Sequence, residues 1–272
     1  MSAVPTGVAA SDLSLLWVIG ADANSFLQGL ITQDVLLPAG TVTRSFLLEP
    51  RGKIRALLWV LNGEGRVGLI TNESDVVAET LQMYKIRIKA EVLEDPRQVL
   101  MEFGPDFGWE WKEVDGVLSA GAGRVRLLVG SQKAVSLSAA QALQARIMTG
   151  EPLIGADLND KSMVHETPLV ADTVSFDKGC YLGQELVSRI ETRGRAPQRI
   201  VGLRGDGTPP ANGASVTLEG RDTGRVTSVI AQGTGFIALG MVRGEVSDGT
   251  QVLLDGVAAT LVKLPFDDAT TA

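Results

Sequence analysis

The sequence predicts an α+β protein: β-rich lobes with a few helices, closed by a small β-barrel at the C-terminal end. Three observations carry that expectation. Glycine accounts for 31 of 272 residues, above the usual share of about 7%, which favours many tight turns. Apolar runs bounded by turn residues recur through the first third of the chain. After residue 200, six short strand-like runs alternate with turn dipeptides, the spacing of a compact all-β unit.

Taken in order, Leu13 to Ile19 reads as a strand. Asp22 can cap a helix whose apolar stripe is Phe26, Leu27, Leu30 and Ile31. Runs at 44–48, 54–61 and 67–71 are separated by Glu49-Pro50-Arg51-Gly52 and Asn62-Gly63-Glu64-Gly65, which makes an antiparallel meander. Ser74 starts a second helix. From Lys85 to Val92 apolar and charged residues alternate, as in a half-buried strand. Trp109 and Trp111 share one face of a further strand, and Val125 to Val129 forms another. Ser138 and Gln141 make a capping box for a helix that Gly150 ends. Residues 151–177 read as loop, and Leu186 to Ile190 fits either helix or strand. The expected barrel strands are 200–203, 215–218, 225–231, 236–241, 251–254 and 258–263, so a boundary near 196 divides a two-lobed region, 1–195, from a barrel, 196–272.

Composition limits function. Twenty-five basic against 32 acidic residues give a net charge of −7. Such a chain does not coat nucleic acid by bulk electrostatics, so no direct nucleic-acid partner is expected. One cysteine, Cys180, cannot form an intramolecular disulfide and suits a reducing cytoplasm. With His165 as the one histidine, no Cys/His zinc site can be assembled. A single thiol cannot hold an iron–sulfur cluster alone, so no metal site is expected. The run 13–19 is too short to span a bilayer and follows no basic segment, which leads us to expect a cytoplasmic protein without a membrane partner. P-loop, GxGxxG and GxSxG motifs are absent.

The chemistry concentrates in Lys178 to Glu185, KGCYLGQE. Gly179 and Gly183 suit sharp turns or close backbone approach. Lys178, two residues before Cys180, can stabilise the thiolate that is the reactive form of cysteine. Two readings stand: a functional thiol, or a small core residue, since free cysteine is among the most buried residue types. His165 beside Glu166 is better read as a polar surface residue than as an acid/base group. Lys178, Arg189, Arg193, Arg195, Arg199 and Arg204 form a local basic excess. It is either an anion-holding cluster or a solvated linker.

At KGCYLGQELVSRIETRG the chain resembles the YgfZ family, folate-binding relatives of the glycine cleavage T-protein. Every position of the signature K-G-C-Y-x-G-Q-E is matched, and Val187, Arg189 and Arg193-Gly194 follow it. Looser likeness covers FLQGLITQDV (26–35), the hairpin at Arg51-Gly52-Lys53, RIMTGEP (146–152) and the C-terminal β-region. The resemblance implies a ring of α+β lobes around a central folate pocket, with tetrahydrofolate or a derivative as ligand. It also implies support for the assembly or repair of iron–sulfur enzymes, including tRNA-modifying ones, with iron–sulfur proteins or their assembly factors as partners. Cys180 is the implied functional residue, with Lys178 beside it. Tyr181, Gln184 and Glu185 would shape the site, and Arg189 would hold a folate carboxylate. T-proteins carry a pterin-binding acid where this chain has Met148. That departure weakens the alternative of a folate-dependent aminomethyl transferase; a non-catalytic scaffold or regulator is the other alternative.

Overall fold

The computed structural model describes residues 3–194 and 196–266. The chain begins with β1 (Gly7–Ala10), β2 (Ser14–Ile19) and α1 (Ala23–Gln28), then the meander β3 (Val42–Leu48), β4 (Ile54–Leu61) and β5 (Arg66–Thr71). α2 (Ser74–Tyr84) leads to β6 (Glu91–Asp95), β7 (Val99–Phe103), β8 (Trp111–Val114), β9 (Val117–Ala122) and β10 (Val125–Val129). Next come α3 (Ala139–Thr149), a 3-10 turn at Val164–Glu166, α4 (Val170–Thr173) and α5 (Gln184–Arg193). The last elements are β11 (Gln198–Asp206), β12 (Ser215–Leu218), β13 (Arg221–Gln232), β14 (Gly235–Arg243), β15 (Gln251–Leu254) and β16 (Val257–Val262).

These strands make two five-stranded antiparallel sheets, β3-β4-β5-β2-β6 and β1-β7-β10-β9-β8, and a closed barrel, β11-β14-β13-β12-β15-β16. The side-chain period of two explains the layering. In β4, Leu57, Trp59 and Leu61 join a core shared with Phe103, Leu118 and Leu127 of the second sheet. Ala56, Leu58 and Val60 point the other way, onto Leu27 of α1 and Val77 and Leu81 of α2. A strand covered on both faces needs the continuous apolar run seen there. The barrel repeats the logic. Val201, Leu203, Val226, Phe236 and Leu261 fill its interior, while Ile237, Leu239 and Met241 face outward into the core that contains Ile147 and Met148 of α3.

The sheet-rich α+β architecture and its terminal barrel agree with the sequence expectation. Four local expectations are corrected. The Lys85–Val92 alternation does not begin a strand: β6 starts at Glu91, Ile86 is 75% exposed, and Arg87 has φ 58°. Its cause is tertiary, because Lys89 N donates to Asp22 Oδ2 and Asp22 N donates to Lys89 O. Asp22 therefore ties a loop, and its side chain caps nothing in α1. α1 itself ends at Gln28, so Leu30 and Ile31 are buried beyond the helix. Trp109 precedes β8 and does not share a strand face with Trp111, whose ring lies 6.0 Å from that of Trp17. The capping box at Ser138 and Gln141 and the left-handed Gly150 are as read. Among the described residues, no helix is long and apolar enough to cross a membrane.

Candidate functional site

Cys180 lies exposed on the turn between α4 and α5, so the core reading of this residue fails. The turn is stitched to the loop that follows α1. Ser175 N donates to Thr32 O and Leu182 N to Gly29 O, both at 3.1 Å. Lys178 Nζ donates to Ile31 O at 2.8 Å and to Gln33 O at 2.9 Å. The ammonium also sits 5.4 Å from the Tyr181 ring centre. Burial lowers the Lys178 pKa to about 8, with Asp34 opposing the shift. Tyr181 is buried, and that burial pushes its hydroxyl up to about 12.

Gly183 explains one glycine of the motif. It has φ 79°, and a Cβ there would sit 2.7 Å from Glu49 O and 3.0 Å from Gly52 Cα. Gly52 has φ 80° and meets Leu186 of α5 in the same way. Two glycines thus let the 49–53 hairpin turn pack on the start of α5. At Gly179 an added Cβ would meet nothing within 4 Å. Gln184, half-buried, begins α5; Glu185 and Arg189 are exposed along it.

A central cavity of about 340 Å³ lies elsewhere, between the two sheets and α3. Leu57 and Trp59 of β4, Met101 and Phe103 of β7, Leu143 of α3 and Ile154 supply apolar walls; Asn72, Arg146 and Glu151 supply polar ones. Trp59 is 6% exposed and its indole N–H has no protein partner, an unusual state for a buried donor. Arg44 stacks on the same ring, 5.3 Å from its centre, and its Nη1 donates to Glu151 Oε1 at 2.9 Å. Behind the wall, Asp157 accepts from Thr227 and Ser228 of β13 at 2.6 and 2.8 Å, and from Arg146. Tyr181, Gln184, Glu185 and Arg189 do not line this cavity. A groove of about 390 Å³ on the barrel is polar and open to solvent.

Two further expectations change. His165 is not a solvated surface residue. Its side chain is 10% exposed and its Nε2 lies 3.0 Å from Glu191 Oε2 of α5. The 3-10 turn holds the ring against α5, near Phe176. The basic excess also disperses. Lys178 faces the 31–33 carbonyls, Arg199 donates to Val246 O and Asp248, and Arg204 lies over the Phe266 ring. Arg189 and Arg193 are exposed on α5, and Arg195 lies outside the described residues. Met148 is fully buried, its sulfur accepting from Gln232 at 3.5 Å.

The cavity residues missed by sequence reasoning, Trp59 and Asn72 above all, sit in or beside strands where they pass for ordinary core or turn positions. Only Arg146, Glu151 and Pro152 belong to the RIMTGEP stretch singled out beforehand.

Comparison with known proteins agrees with this geometry. Residues 198–266 match the family model of the CAF17 C-terminal beta-barrel domain. A tRNA-modifying protein YgfZ of Aliivibrio fischeri is 26% identical, over 94% of this chain and 91% of that protein. One from Yersinia enterocolitica is 27% identical, over 97% and 89%. The crystal structure of glycine cleavage system aminomethyltransferase T from Bartonella henselae superposes with a TM-score of 0.79 at 20% identity, covering 97% of this chain and 88% of that one. A matching barrel domain, YgfZ relatives along nearly the whole length and the superposing aminomethyltransferase together show that this chain is similar to YgfZ proteins and has the aminomethyltransferase fold.

Proposed function

We propose that this protein is a folate-binding accessory factor that supports the assembly or repair of iron–sulfur enzymes, tRNA-modifying ones among them, through Cys180. The observation that carries the reading is the exposure of the only thiol in the chain, on a turn fixed by backbone hydrogen bonds and one lysine. A cysteine kept for packing is buried; one that meets a partner is not. The names of the YgfZ relatives supply the link to tRNA modification, and the acidic net charge favours an indirect link through a modifying enzyme.

Folate suits the central cavity on this chain's own residues. The walls offer apolar faces at Leu57, Met101 and Phe103, the Trp59 ring, and hydrogen-bonding groups at Asn72 and Glu151. Its volume falls at the low end of the ~300–1,000 Å³ range of small-molecule sites, enough for the pterin and part of the benzoyl group. Bound tetrahydrofolate would supply a carrier for one-carbon units. Trp59 and Asn72 would orient it, and Phe103 would exclude water. Tyr181, Gln184, Glu185 and Arg189 then belong to the partner side of the molecule, around Cys180.

Complementation of a deletion strain tests the reading. Wild type restores iron–sulfur enzyme activities and Cys180→Ala does not; full rescue by Cys180→Ala would overturn the role of the thiol. Titration with tetrahydrofolate, followed by calorimetry, tests the ligand. The aminomethyl-transferase alternative requires ammonia release from an aminomethyl-lipoyl substrate. Met148, buried with its sulfur against Gln232, offers no carboxylate for that chemistry.

A further inference from the structure

The end of α2 and the loop behind it leave two apolar side chains that packing does not explain. α2 ends at Tyr84, and residues 85–90 run from it to β6 without regular structure. Met83 and Ile86 are 70% and 75% exposed, the two most exposed large apolar side chains among the described residues. Ile88 turns the other way and packs on the core that holds Val77 and Leu81. Lys85, Arg87 and Lys89 are interleaved with the exposed pair, and none of these cations makes an ion pair among the described residues.

The loop is held in this shape by its backbone. Ile86 N donates to Tyr84 O at 2.9 Å, Lys89 N to Asp22 Oδ2 at 2.7 Å, and Asp22 N to Lys89 O at 3.2 Å. Gly20, with φ 145°, leaves room for the Lys89 carbonyl oxygen, which would lie 2.2 Å from a Cβ at that position. At the tip Arg87 takes φ 58°, a left-handed conformation uncommon outside glycine. Backbone strain that keeps an isoleucine in water points to a role outside the fold.

Aliphatic tips set between cations suit an anionic lipid surface: the tips enter the acyl boundary and the cations meet the headgroups. Other macromolecules fit less well. Methionine and isoleucine offer no ring on which a nucleic-acid base could stack. An amphipathic partner helix lays its apolar face in a groove, and side chains this exposed protrude instead of forming one. A bilayer yields to them. The flanking acids are Asp22, engaged by Lys89 N, Glu79, one turn before Met83, and Glu91, which opens β6. Without the three loop cations the rest of the chain carries −7 − 3 = −10, but at physiological ionic strength charges farther than about 8 Å away are largely screened.

We propose that the 83–89 tip is a peripheral contact for anionic lipid, with Met83 and Ile86 entering the bilayer and Lys85, Arg87 and Lys89 holding headgroup phosphates. Three cations and two aliphatic side chains give weak, reversible attachment, of the order of one acyl chain. No described helix can cross a membrane, so the contact lies at the surface. It depends neither on Cys180 nor on a ligand in the central cavity.

The test is co-sedimentation of the purified full chain with vesicles of phosphatidylcholine alone, and of phosphatidylcholine and phosphatidylglycerol in equal parts. Half-binding to the mixed vesicles is expected at about 0.1–1 mM lipid, with binding to the neutral ones at least about tenfold weaker. Lys85→Gln, Arg87→Gln and Lys89→Gln together should weaken binding about a hundredfold, at about fivefold per charge. Met83→Ser with Ile86→Ser should weaken it about tenfold. Both variants change exposed or half-exposed side chains and should keep the wild-type Tm, which separates lost binding from lost folding. Total tRNA and poly-L-glutamate, titrated at the same ionic strength, represent the other polyanions. The proposal fails if the mixed vesicles do not sediment the protein, if neutral vesicles do so equally, or if either variant binds like wild type. It also fails if tRNA or poly-L-glutamate binds more tightly than the mixed vesicles.

Discussion

The central cavity and the Cys180 turn are built in opposite ways. The cavity's walls come from residues 9–13, 57–59, 101–103 and 139–154, brought together only when two sheets and a helix pack. The turn is one continuous stretch, held by backbone hydrogen bonds and a lysine against residues 29–33. A ligand-sized space and an exposed thiol therefore rest on different parts of the fold. Binding and thiol chemistry should respond to different substitutions, and three variants probe that separation.

The largest effect is expected at Asp157. Its side chain is fully buried, accepts from Thr227, Ser228, Leu153 N and Arg146, and joins the cavity wall to the barrel. Thr227 lies where the register of β13 shifts against β14, so the carboxylate also satisfies an irregular point in a strand. Asp157→Ala leaves the Arg146 charge without its counter-ion in a half-buried site, at a cost of about 3–5 kcal/mol. Urea unfolding should show that loss as a lower midpoint with unchanged slope. Cavity ligand affinity should fall with it, because Arg146 and Leu153 line the space. The alkylation rate of Cys180 in the folded protein should stay the same. Parallel loss of both would show that the two regions are one cooperative site.

Lys178→Met reverses the pattern. It strips hydrogen bonds from Ile31 O and Gln33 O, the first on a fully buried residue, at about 1–3 kcal/mol. Amide exchange should rise in 29–33 and 178–182 while cavity affinity holds. The pH dependence supplies a second signature. Folded Lys178 has a pKa of about 8 against 10.5 in the unfolded chain, so the unfolded state binds more protons between those values. This group's contribution to stability therefore rises with pH across that window. Wild type should gain on Lys178→Met between pH 8 and 10.5; a flat difference would contradict the depressed pKa.

The same contrast explains what could be read from the sequence. Strands at 215–218 and 251–254 were legible because turn dipeptides and apolar runs are local signals. The Cys180 motif was legible for the same reason. The loop at 85–90 was not, because a contact with Asp22 overrides a clean alternation. His165 looked polar and solvated, yet a helix 26 residues later covers it. Trp59 looked like one more core residue of β4. Its unpartnered N–H exists only relative to walls contributed by other elements, and no spacing along the chain encodes that.

The smallest effect lies at Glu166, in the 3-10 turn that packs against α5. Its carboxylate accepts from Met163 N at 2.9 Å. Burial raises its pKa above 4.5, against the opposing Met163 hydrogen bond and Lys53. A raised carboxyl pKa means the folded state holds its proton longer, so this group's contribution is present below the unfolded pKa and is lost as pH rises through the folded one. At pH 7 the buried charge is a small liability. Glu166→Gln keeps the acceptor and the shape but removes the charge. It should raise Tm at pH 7 by on the order of 1–2 °C and give no gain at pH 4, with cavity affinity unaltered. Cys180 alkylation is the sharper readout. An unchanged rate confines the 3-10 turn to a supporting role beneath α5, whereas a changed rate would mean that packing behind the helix reaches the thiol on the turn before it.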